Sequence, residues 1–134
     1  MSVRPMIAAL YVLADGPYAG LPDVEVWDEA RDARSYPGPW PVVAHPPCAS
    51  WGRYSKPTPE SAARGPLRGD DGGCFAAALA SVRRWGGVLE HPRDSAAWSA
   101  FRLAIPDPRG WARNDALIAE PWPAGRAWVC CVEQ

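Results

Sequence analysis

"CFAAALASVRRWGGVLEHP", Cys74–Pro92, is the stretch from which the fold is read. Cys74, Phe75, Ala78, Leu79 and Val82 recur at helical spacing, with Arg83 and Arg84 outside the apolar stripe, so the spacing predicts a helix. Asp70 or Asp71 favours its N-terminus, and Gly86 with Gly87 ends it. The chain passes directly into "VLEHP", Val88–Pro92, a strand with a charged residue at its exit. Upstream, "VVAHPPCASWG", Val42–Gly52, opens on another strand, Val42–His45, before two prolines turn the chain. Strand, loop, helix and strand from Val42 to Glu90 make one unit, for which a right-handed parallel crossover is much the commonest arrangement.

Two further strands are expected ahead of this unit. "MIAALYVL", Met6–Leu13, is a continuous apolar run suited to burial on both faces, and it ends in the turn-rich "ADGPYAGLP". "VEVWD", Val24–Asp28, alternates apolar and acidic residues. "EARDARSYPGPWP", residues 29–41, reads as a helical turn broken by Pro37. Beyond the central unit, Ser95–Ala104 reads as a short helix and Ile105–Trp111 as a loop. Ala116–Glu120 reads as a helical turn and Arg126–Gln134 as a last strand. Residues 49–73 lack periodicity and form a long loop carrying Trp51, Arg53, Tyr54, Lys56, Arg64 and Arg68. The expectation is a single α/β domain over residues 1–134, with a small, mostly parallel sheet flanked by helices.

Composition narrows the function. With 134 residues the chain buries enough surface to fold without a disulfide or metal staple. Its 48% apolar and 22% charged residues are ordinary globular usage, while 16 prolines and 12 glycines imply many turns between short elements. A net charge of −1 argues against coating nucleic acid through phosphate contacts alone, and leaves room for a local, specific contact. No apolar run approaches membrane-spanning length and no signal-peptide pattern is present, so a cytoplasmic location without membrane partners is expected. The four cysteines, Cys48, Cys74, Cys130 and Cys131, are read as reduced thiols.

If the strands ending at His45 and Glu90 are parallel, their exits share one sheet edge, where ligands of parallel sheets bind. Cys48 behind Pro46-Pro47 then supplies a nucleophile, and Glu90 before His91-Pro92 supplies a carboxylate. This pairing of a Pro-Pro-Cys corner with a glutamate at the exit of the next strand resembles the cytosine-5 DNA methyltransferases. The resemblance covers Val42–Pro92. It implies a reduced Rossmann-like methyltransferase core, with Cys48 adding to C6 of a pyrimidine and Glu90 holding N3. It also implies that the loop at 49–73 closes over a base, with His45, Pro47, Trp51, Arg53 and His91 as substrate contacts. S-adenosylmethionine would be the cofactor, held by Asp15 and Asp28, and the substrate would be DNA or a free pyrimidine nucleotide. The chain has Ala49 where that family has Gln, and His91-Pro92 where it has Asn-Val. About ten residues separate the first two strands, too few for a crossover helix. No target-recognition domain is legible in the sequence, so that function would come from a partner protein or from further chain beyond Gln134. In its "VVAHPPC" and "GGVLEHP" segments the chain also resembles short proteins of phage genomes.

Other readings stay open beside this one. Cys48 also reads as a small apolar side chain, and Glu90 as a surface carboxylate or an ion-pair partner of an arginine. His45, Cys48, Cys74 and His91 could bind zinc, although no second closely spaced pair completes a ligand set. A Cys48–His91 hydrolase has the chemistry but no local signature. Nucleoside deoxyribosyltransferases show a vague similarity, yet the helix lacks the glutamate they require. A catalytically silent module that binds a nucleotide or a protein, such as a phage antagonist of host defence, is the alternative from a different class.

Overall fold

The structure is a computed structural model that describes residues 6–105 and, for the backbone alone, residues 112–113 and 128–129. The expected helical turn at Ala116–Glu120 lies outside these residues. The chain forms two compact units, residues 1–47 with 71–91 and residues 48–70 with 92–134.

The first unit is built on an all-parallel four-stranded sheet in the order β2-β1-β3-β4, with β1 Ile7–Leu10, β2 Val24–Trp27, β3 Val42–Ala44 and β4 Gly87–Leu89. β1 lies in register with both neighbours, Leu10 opposite Trp27 on one side and Ala44 on the other, and Ala44 is opposite Leu89 across the next pair. The strands are shorter than the apolar runs that predict them. β1 stops because Tyr11 takes a left-handed conformation with φ of 61°, which no strand accommodates.

Helix α1, Cys74–Trp85, matches the range expected from its periodicity. The Asp71 carboxylate caps it, accepting from the backbone N–H of Gly73 and Phe75, and Gly86 closes it. Its buried residues are Phe75, Ala78 and Leu79. Ala8, Leu10, Val42 and Ala44 from the strands form a core with Ala78. Small alanines on both sides permit the close approach, and the bulk comes from Trp27 and Tyr36, whose rings meet edge to face at 5.3 Å. Tyr36 belongs to the segment expected to be a broken helical turn, which contains a short 3-10 turn at Ala33–Ser35. The connection between β1 and β2 consists of turns without a helix.

In the second unit the segment read as a long loop is internally organised. Lys56 and Leu67 form a bridge flanked by backbone bonds from Lys56 to Pro66 and from Arg68 to Lys56, and a 3-10 turn runs over Ser61–Arg64. Trp51, 8% exposed, meets Phe101 edge to face at 5.9 Å. The short helix α2, Ala97–Ala100, lies within the helix expected at 95–104, and its neighbour Ala96 donates its N–H to the Trp51 carbonyl. β5 Ala112–Arg113 and β6 Trp128–Val129 pair antiparallel, with β6 inside the expected last strand. Among the described residues no helix is long and apolar enough to cross a membrane.

Candidate functional site

The site is best built from the parallel register of β3 and β4. The ladder continues one residue past each strand: the His45 N–H donates to the Leu10 carbonyl at 3.0 Å and the Glu90 N–H to the Ala44 carbonyl at 2.9 Å. Pro46 favours this extension, because a residue before proline is held out of the helical region. His45 and Glu90 therefore leave adjacent strands side by side, and His45 Nδ1 lies 3.1 Å from Glu90 Oε2. In the order β2-β1-β3-β4, the gap between β1 and β3 is the place where successive connections diverge, the usual ligand crevice of open parallel sheets. The loop leaving β1 crosses there and brings the Tyr18 hydroxyl to 2.8 Å from His45 Nε2.

The three side chains form one directed chain. With Glu90 as a carboxylate and His45 neutral, Nδ1 of His45 carries the proton and Nε2 accepts from the Tyr18 hydroxyl. About a third of the His45 and Glu90 side-chain surface faces solvent, 33% and 37%. Groups that are fixed in orientation yet open to solvent are suited to hydrogen-bonding an incoming ring and to moving a proton. Tyr18 carries no sequence signal that would have marked it; its part arises from where the turn-rich loop places it.

His91 sits in a different environment. It is buried, 5.0 Å from the Phe75 ring in an edge-to-face contact, and its Nε2 lies 3.4 Å from the Pro47 carbonyl. This is a strut between two proline-bearing corners, and its burial distinguishes it from a surface substrate contact. Burial also depresses its basicity below the usual imidazole range. The unfolded chain then takes up a proton at His91 near pH 6.5, where the native protein does not. Stability is expected to fall as the pH drops through about 6.5 and to level off below the depressed native value. Urea unfolding at pH 7.5 and pH 5.5 measures this, and His91→Gln should remove part of the slope; an unchanged slope would exclude His91 as a contributor.

The remaining expected site residues are distributed as follows. Cys48 is an exposed, free thiol at the head of the second unit. Pro47 is exposed and offers its carbonyl to His91. Trp51 is a core residue of the second unit, so its ring is occupied in packing. Arg53 is exposed and lies 5.1 Å over the Tyr54 ring, a cation–π pair on the surface of that unit. Asp15 is exposed in the turn after β1. Asp28 accepts the Arg31 N–H at 2.8 Å, while the Arg31 guanidinium stacks 3.8 Å from the Trp27 ring centroid. The acid expected to hold a cofactor ribose is thus turned into its own turn.

Cys74, the other described cysteine, is a free thiol at the start of α1, and burial raises its pKa above the usual thiol range. Among the described residues no three His, Cys, Asp or Glu side chains come together as a metal-binding group. No family model, curated protein or solved structure matches the chain.

Proposed function

We propose that this chain is a pyrimidine-modifying protein of the cytosine-5 methyltransferase type, with the base held at the exits of β3 and β4. The observation that carries the reading is the His45–Glu90 pair, side by side where β3 and β4 leave a parallel sheet and joined by a 3.1 Å hydrogen bond. Glu90 is the N3 partner in this reading, and His45 orients its carboxylate. Removing strand 3 from the doubly wound order 3-2-1-4-5 leaves the adjacency found in this sheet, which supports a methyltransferase-like core shortened on its cofactor side.

In this reading Cys48, three residues after His45, is the nucleophile. C5 of a pyrimidine becomes nucleophilic only after a soft nucleophile adds at C6, and a hydrogen bond at N3 lowers the barrier to that addition. The step to test is the addition of the Cys48 thiolate across C5=C6, in which the C6–S bond forms, the C5=C6 π bond breaks and C5 takes a proton from water, with no second substrate. Incubation with an oligonucleotide containing 5-fluoro-2′-deoxycytidine, or with 5-fluoro-dUMP, is expected to give a covalent adduct visible as a mass increase. Cys48→Ala should abolish it. An adduct that survives the substitution, or no adduct with either probe, would overturn the mechanism.

A second reading is favoured by Asp28 being engaged within its own turn and by the helix-free link from β1 to β2. It takes the protein to be a catalytically silent module that binds a nucleotide at the same edge, or docks a protein there. Nucleotide binding without S-adenosylmethionine binding, measured by calorimetry, distinguishes it from an active transferase.

A further inference from the structure

We infer that the Tyr18–His45–Glu90 chain selects a pyrimidine whose ring nitrogen carries a proton, the imide N–H of uracil or thymine, over cytosine. The inference rests on the reading that Glu90 faces N3 of a bound base. Its own basis is the polarity of the hydrogen-bonded chain. With Glu90 as a carboxylate and His45 neutral, Nδ1 donates to Glu90 Oε2, 3.1 Å away, and Nε2 accepts from the Tyr18 hydroxyl, 2.8 Å away. Such a carboxylate has acceptors only.

The two classes of pyrimidine differ at the atom this carboxylate would meet. N3 of uracil and thymine bears a hydrogen and donates to it. N3 of cytosine presents a lone pair, which a carboxylate repels and only a protonated acid can satisfy. A proton on Glu90 would exchange the charge-assisted bond from His45 for a neutral one, and the bond from Tyr18 holds the ring that donates it. Tyr18 is therefore a positioning residue. It acts through His45, and its place on the β1–β2 loop couples that loop to the choice of base.

Titration of the full chain with dUMP and with dCMP at pH 7.5 by calorimetry tests this, since the two share sugar and phosphate and differ only in the base. The expected result is dUMP binding about ten-fold more tightly, the size of one satisfied against one opposed hydrogen bond. Glu90→Gln offers a donor as well as an acceptor, so the ratio should fall to near one. Tyr18→Phe should lower the ratio while circular dichroism shows the fold retained. Equal or tighter binding of dCMP by the unmodified protein would overturn the inference and leave the base-binding reading intact. An unchanged ratio in Glu90→Gln would overturn the assignment to Glu90. Binding of neither nucleotide would overturn the base-binding reading and this inference with it.

Discussion

Gly87→Ala is expected to leave the first unit unable to fold cooperatively. Gly87 stands opposite Val42 in the β3–β4 ladder, with φ of 124°. A Cβ added there would fall on the Val42 carbonyl oxygen, well inside any real contact distance, and would crowd the Val42 nitrogen as well. Those atoms cannot withdraw cheaply. Val42 is 1% exposed, and its N–H is bonded to the Gly86 carbonyl at 3.0 Å. The loss should exceed about 4 kcal/mol, a large part of the stability of an ordinary domain. Thermal unfolding followed by circular dichroism should show no sharp transition. Gly86→Ala supplies the control, because Gly86 also has a positive φ, 83°, but an added Cβ would meet nothing within 4 Å. Its cost should be only that of a backbone region that glycine alone adopts readily, φ of 83° with ψ of 170°, about 1–3 kcal/mol. Equal losses for the two substitutions would refute the argument from the approach of Val42.

Phe75→Ala should rank next. Phe75 is fully buried, one of the largest side chains with no exposed surface, and it forms the wall against which the His91 ring packs. Truncation removes its transfer free energy and leaves a cavity, together about 3–5 kcal/mol. For a chain of this size the melting temperature should fall by roughly 10–20 °C. A second readout separates cavity formation from general damage. Opening the wall hydrates His91, so its depressed pKa should rise toward the ordinary imidazole value in a proton NMR titration, and the acid-side loss of stability should flatten. A fall in stability under about 1 kcal/mol, or a His91 titration that does not move, would show that Phe75 is not the support of this corner.

The elements with strong local signals were legible from residues alone. Cys74–Trp85 could be read to its ends because helical spacing, an acidic cap and a glycine stop all agree there, and each is a local property of the chain. The strands were legible as apolar runs, but their lengths were not. Tyr11 leaves the strand conformation because of its surroundings, and nothing in "ALYVL" marks that. The basic, aromatic segment after Cys48 looked like an open loop since it has no periodicity. It is held by the Lys56–Leu67 bridge and by Trp51 packing, contacts between residues distant in sequence that leave no repeating pattern. For the candidate site, Glu90 and His45 could be named in advance because both stand at strand exits. Tyr18 could not, since it reaches His45 across 27 positions from a turn with no motif of its own.

By itself the sequence determined the kind of elements, their order and the edge at which a site should lie. Periodicity, prolines and glycines act over a few residues, and a strand–helix–strand unit leaves its two strand exits on one side. The strand neighbours, the register and the hydrogen-bond partners were decided only by tertiary structure. Register placed His45 beside Glu90, and the path of the β1–β2 loop placed Tyr18 on the far nitrogen of that histidine. A side chain's partner depends on distances through space that a linear pattern does not encode. The carboxylate anticipated beside a cysteine takes part in a hydrogen-bonded chain with His45 and Tyr18.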